Sequence, residues 1–213
     1  MKLEEEIRDL KLLTLKMGKI VIENLRNAID IYYEYDDAKA NLINDDVVDK
    51  WERLIEETCL NIMLRERPYA GDLRYVSGIL TLVSDLERLG DHAEDIRDFS
   101  SKLKGTNKHK IKELDDAVEK SLEMVKDAIS AFENNDIKLA NDVIQRDNII
   151  DALYENCLSI LIKSLGENVF SPKCSIYTTL IVKYIERIAD HAVNIAEWVI
   201  YIDSGYYKDK QIF

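Results

Sequence analysis

Two prolines and seven glycines in 213 residues leave too few turn formers for the many short strands of an all-β domain. Three cysteines, Cys59, Cys157 and Cys174, are odd in number, far apart and free of any CxxC pair. That spacing excludes a disulfide framework and a thiolate zinc site, and it points to a reducing compartment. Three histidines, no glycine-rich phosphate loop and no nucleophile motif leave little on which to build a catalytic triad or a nucleotide site. Basic residues are outnumbered, 29 against 41 acidic, for a formal charge of −12. Such a field repels nucleic acid and anionic lipid, and favours cations and basic protein surfaces as partners. No stretch reaches the ~18 uninterrupted apolar residues of a spanning helix, and the opening MKLEEEIRDLK is charged where a signal peptide is apolar. The expectation is a cytoplasmic protein without membrane insertion.

What is present is helical periodicity. Steps of alternating four and three residues from Leu3 run through Ile7, Leu10, Thr14, Met17, Val21, Asn24, Ala28, Ile31 and Tyr35, and eight of these ten are apolar. A seam near 3.5 residues belongs to a long bundle helix, because that spacing keeps one stripe facing a partner. A second helix is predicted over about 37–65, stopped by Pro68, and a third over about 71–103, ending near a glycine suited to a left-handed cap, Gly105. In RPYAGDLR, residues 67–74, the proline sets the turn and Asp72 favours the start of the next helix. After the linker GTNKHK, residues 105–110, helices are predicted over about 111–132, 137–165 and 174–202. No strand is expected.

The two triplets are copies. DLERLGDHAEDIRDF at 85–99 returns as YIERIADHAVNIAEW at 184–198, and INDDVVD at 43–49 is answered by QRDNIID at 145–151. The offset is 99 residues for the first pair and 102 for the second, a difference that falls in surface turns, where copies diverge most cheaply. The fold class is therefore all-α: two tandem three-helix bundles, residues 1–104 and 111–213, joined by 105–110.

Within this frame the acidic residues are ordered. Asp45 and Asp49, Glu87 and Asp91, Asp147 and Asp151, Glu186 and Asp190 each stand four apart, so each pair shares a helix face one turn apart. A lone pair of this kind is usually a solvated surface. These pairs, however, are in register: in an antiparallel hairpin, residues equally distant from the turn lie level. Asp49 with Glu87 and Asp45 with Asp91 both centre on residue 68, while Asp151 with Glu186 and Asp147 with Asp190 both centre between 168 and 169. Four carboxylates on helices ~8–10 Å apart can share a hard or borderline cation. His92 and His191 follow the second aspartates, but a step of one residue rotates about 100° round the helix, which favours packing over ligation. His109 lies in the linker and carries no signal. A di-iron ExxH pattern is also missing, since Leu89, Thr106 and Ile188 stand three residues before the histidines.

RPYAGDLR, LERLGDHAEDI, IERIADHAVNIAEW and the paired aspartates before them closely resemble the PhoU family of phosphate-transport accessory proteins, over essentially the whole chain. Ala189 stands where that family often has Gly, and Arg67 where Gln is common. The resemblance implies paired three-helix bundles, a homodimer, no enzymatic activity, and negative regulation of the phosphate-starvation response. It further implies coupling of a phosphate ABC transporter, through its ATPase subunit, to a PhoR-type sensor histidine kinase, which would hold the protein peripherally at the inner membrane face. Some members carry multinuclear iron or zinc on their E(D)xxxD motifs, which here fall at Asp45, Asp49, Glu87, Asp91, Asp147, Asp151, Glu186 and Asp190; manganese and magnesium suit the same oxygen donors. The rival readings are an accessory of another phosphate carrier and a metal-dependent enzyme acting on a phosphorylated substrate.

Overall fold

A computed structural model describes residues 2–106, 110–208 and 210–211; His109 lies outside the described residues. The fold is all-helical as expected: α1 (Lys2–Tyr33), α2 (Asp37–Ala40), α3 (Asp45–Arg65), α4 (Gly71–Lys102), α5 (Lys112–Asn134), α6 (Ile137–Gly166) and α7 (Pro172–Ser204). In α1 the seam is the buried face, with Leu10, Thr14, Met17, Val21, Asn24, Ala28 and Ile31 all inside. Thr14 is accommodated there by donating to its own helix at the Leu10 carbonyl, 2.9 Å.

The boundaries follow from local chemistry. Asp136 caps α6 by accepting from the amides of Lys138 and Leu139, and Ser171 caps α7 ahead of Pro172 by accepting from Cys174. The predicted single helix over 37–65 is broken. Asp36 caps the short α2, and the chain then sends Ile43 into the core before α3 starts afresh at Asp45. Arg97 of α4 fixes this detour by donating to the Ile43 carbonyl, 3.1 Å. The second departure is at the end of the chain, where Tyr206–Tyr207 (β1) pairs antiparallel with Lys210–Gln211 (β2). Two residues per strand make a turn over α7 rather than a sheet layer.

Each half is a three-helix bundle, α1 with α3 and α4, then α5 with α6 and α7. The halves meet through α4 against α7 and α1 against α5, leaving α3 and α6 on the outer flanks, and one hydrophobic core runs through both. Helices α4 and α7 run antiparallel: Ser77 Oγ lies 3.3 Å from the Tyr201 hydroxyl toward one end, and the Phe99 and Tyr177 rings are 6.0 Å apart toward the other. Gly78 permits the approach, since a methyl group there would overlap Ile202. Cys59, Cys157 and Cys174 are buried and unpaired. Among the described residues no helix is long and apolar enough to cross a membrane.

Candidate functional site

Gly90 lets α3 settle closely on α4. A methyl group at that position would stand 3.0 Å from Val48 Cγ1 and 3.3 Å from Asp45 Oδ1. The result is the register read from the sequence: Asp45 of α3 faces Asp91 of α4, with Asp49 and Glu87 a turn further along. Burial, then repulsion from Asp91 and Asp49, pushes the Asp45 carboxyl up to about 7. Glu87 is raised by burial and by Asp91. Arginines from the same helices answer part of this charge. Arg88 reaches Asp91 at 2.9 Å and Glu87 at 3.5 Å, and Arg53 reaches Asp49 at 3.4 Å.

The second half repeats the geometry with fewer counter-ions. Asp147 is raised by burial and by Asp151 and Asp190, Glu186 by burial, Asp190 and Asp151, and Asp190 by burial and Asp151. Among the described residues none of these four carboxylates forms an ion pair within 4.0 Å; Arg187 acts on Glu186 and Asp190 only at longer range. The structure thus brings all eight acidic residues named from the sequence into two matched constellations.

The donor set is oxygen throughout, the chemistry of a hard or borderline cation. Asp45 Oδ1 is moreover buried with no hydrogen-bond partner, an atom that a cation would satisfy. In kind and register these residues fit a metal. As the side chains stand, no group of three or more His, Cys, Asp or Glu among the described residues is gathered to hold an ion. Binding therefore calls for rotation of half-exposed carboxylates rather than a preformed cage.

Three features around the constellations were not drawn from the sequence. The first is an acidic rim on the first half, where Asp46, Glu94 and Asp98 join Asp45 around an open hollow of about 530 Å³ with Arg97 as its cation. Arg97 is paired with both Glu94 and Asp98. The second is the meeting of the two histidines between α4 and α7. Their ring centroids are 5.2 Å apart; His191 Nδ1 donates to Asp85 Oδ1 at 2.8 Å, and Asn194 Nδ2 donates to the same oxygen at 3.1 Å. His92 instead faces the Tyr184 ring at 5.1 Å, with neither nitrogen hydrogen-bonded. Burial, helped by His191 and Arg187, lowers it to about 3, so it is neutral. Both histidines pack between α4 and α7. The repeat offset was the signal available: Asp85 corresponds to Tyr184 and Asp95 to Asn194, so the copies have exchanged polar roles across the pseudo-twofold. The third feature is Lys208, whose Nζ lies 3.3 Å from Glu197 Oε2 and donates to Asn194 Oδ1 at 3.4 Å.

The chain is similar to known proteins over nearly its whole length. The family model described as the PhoU domain matches twice, at residues 14–99 and 114–199. The phosphate-specific transport system accessory protein PhoU homolog of Clostridium acetobutylicum is 30% identical over 210 residues, covering 97% of this chain and 96% of that protein. PhoU homolog 1 of Thermotoga maritima, of the same description, is 34% identical over 207 residues, covering 95% and 89%. Among solved structures, the phosphate transport system regulatory protein PhoU from Streptococcus pneumoniae superposes with a TM-score of 0.90 at 28% identity, over 98% of this chain and 100% of that one. PhoU from Pseudomonas aeruginosa gives 0.90 at 31%, over 95% and 99%.

Proposed function

The chain belongs to the PhoU family, and from that premise we propose that it is a negative regulator of the phosphate-starvation response. In this reading it is an accessory of a phosphate-specific transport system and works by binding rather than by catalysis. The observation that carries the reading is the double match to the family model, spanning both acidic hairpins. Its partners are the ATPase subunit of the phosphate ABC transporter and a PhoR-type sensor histidine kinase, both met from the cytoplasmic side, and it damps the kinase when phosphate is plentiful. A homodimer belongs to the same proposal, with sedimentation velocity as its test.

The metal is part of the proposal too. Asp45, Asp49, Glu87 and Asp91 would hold one ion or cluster, and Asp147, Asp151, Glu186 and Asp190 another. The bound cation would supply positive charge that cancels the carboxylate repulsion and ties each outer helix to its inner neighbour. Iron, zinc, manganese and magnesium all suit such donors, so geometry and availability decide among them.

Deletion of the gene should raise expression of phosphate-uptake genes in phosphate-replete medium. Expression that does not change on deletion would overturn the regulatory reading. A pull-down from replete cells should recover the transporter ATPase or the kinase; recovery of another phosphate carrier's subunits would reassign the partner. Phosphatase activity dependent on added divalent metal would instead favour the enzyme reading.

A further inference from the structure

The furrow between α6 and α7 changes character along its length. One end carries the carboxylates of Asp147, Asp151, Glu186 and Asp190. The same register that levels those residues sets Leu158 beside Thr179 and Leu161 beside Ile176, two to three turns nearer the connection of the two helices. There the furrow opens into a groove of about 330 Å³, lined chiefly by Leu158, Leu161, Ile162, Leu165, Ile176 and Leu180. Asp151, Leu158, Ile162 and Leu165 share one face of α6, so the groove continues the acidic lane directly. Ile162 is 72% exposed and Ile176 59%, so an isoleucine projects from each wall.

The bundle does not require this face to be apolar. In the first repeat the positions of Leu158, Ile176 and Leu180 hold Glu56, Ser77 and Thr81, and α3 packs on α4 there all the same. The Thr81 hydroxyl simply donates to the Ser77 carbonyl of its own helix at 3.3 Å. The second repeat instead leaves on the order of 400 Å² of aliphatic surface wet, the size at which an exposed patch marks an interaction site. Charge around it is bipolar. Lys163 pairs with Glu167 at 4.0 Å, whereas among the described residues Lys173, beside the connection, and Glu155, toward the carboxylates, form no ion pair. Lys183 and Arg187 turn to a hollow that α7 shares with α4.

We propose that this groove is the contact between two molecules of the chain, paired about a twofold axis that runs their α6–α7 furrows antiparallel. The proposal rests on the homodimer reading and assigns its surface. Ile162 and Ile176 of each protomer enter the groove of the other, an isologous packing of projecting side chains into a complementary hollow. The aliphatic patch supplies about half of the roughly 800 Å² that each partner contributes to a standard interface, and the polar rim supplies the remainder. Charge fixes the sense of the pairing. Antiparallel furrows bring Lys173 of one protomer to Glu155 of its partner and hold the two sets of four carboxylates at opposite ends. Parallel furrows would set carboxylate against carboxylate in a chain of formal charge −12. The first repeat, with Glu56 in the place of Leu158, stays outside the contact.

Sedimentation velocity on the full chain over a range of concentrations gives the dissociation constant of the dimer. Ile162→Glu and Ile176→Glu, made separately at exposed positions, should each weaken it at least about thirtyfold, the loss expected at a central apolar anchor, with circular dichroism unchanged. Leu64→Glu, at a residue of the first repeat that is 77% exposed, should leave the dimer intact. Lys173→Glu should weaken it about two- to tenfold, the scale of an exposed ion pair made twice. Adding Glu155→Lys to that chain should restore it, because each reversed charge again meets its opposite. A wild type that stays monomeric would overturn the homodimer reading and this surface with it. A dimer that survives both isoleucine variants would overturn the surface alone; loss of the transporter ATPase from a pull-down with those variants would then give the groove to that partner. Dissociation by Leu64→Glu would move the contact to the first repeat, and a double charge reversal that fails to restore the dimer would overturn the antiparallel pairing.

Discussion

Asp45 concentrates the electrostatic problem of the fold in one side chain. Burial and two like-charged neighbours raise its folded-state value to about 7, above the ~3.9 of an unfolded aspartate. The folded protein therefore holds this proton more tightly than the unfolded chain. Its contribution is most favourable below about pH 4 and is lost as pH rises toward 7. Asp45→Asn cannot ionise, so in metal-free buffer it should melt above the wild type at about pH 7.5, by on the order of 1 kcal/mol after solvent screening. The gap should close near pH 4. Neutral His92 has the opposite sign, costing stability as pH falls below about 6.5, but it is common to both proteins and cancels in the difference. A gap independent of pH would show that the Asp45 charge is already compensated. The level pairing that puts Asp45 beside Asp91 was legible because hairpin register is arithmetic about a turn. The degree of burial was not, since it depends on Gly90 admitting Val48 so closely.

At the scale of helices, glycine decides which surfaces meet. Gly78 lies where α4 crosses α7, with both Ile202 and Tyr201 in contact range of an added methyl group. Gly78→Ala should destabilise by about 1–3 kcal/mol through overpacking, only partly offset by the ~0.5–1 kcal/mol that alanine gains inside a helix. A melting temperature lowered by several degrees would be the readout; a rise would mean that Ile202 moves aside freely. The long helices were readable because one 3.5-residue seam dominates each, and α1 buries the residues its seam names. The break between α2 and α3 was not readable, because its cause is remote: Ile43 is drawn inward and Arg97, 54 residues on, holds its carbonyl. The tail hairpin escaped for a related reason, since its stability comes from Trp198 and Glu197 rather than from any alternation within residues 206–211.

For the molecule as a whole, a cation that binds only the folded state should raise the melting temperature by mass action. At a hundred times its dissociation constant, one ion contributes about 2.7 kcal/mol, or about 5–10 °C for a chain of this size. Replacing Asp45, Asp91, Asp147 and Asp190 by Asn should abolish that shift while leaving far-ultraviolet circular dichroism unchanged. A shift that persists in the quadruple variant would place the ion elsewhere. The duplication was visible in the sequence, yet the way the copies meet was not, because an apolar stripe on a helix does not state which other stripe it will cover. Here the stripe of α4 is covered by α7, whose aligned residues lie about 100 positions later. That separation has a temporal meaning during synthesis. At about 5–20 residues per second, a ribosome needs about 5–20 s to travel from one repeat to the other. For that interval the newly made first repeat waits with its inner face wet, exposed to chaperones and to neighbouring nascent chains carrying the same face.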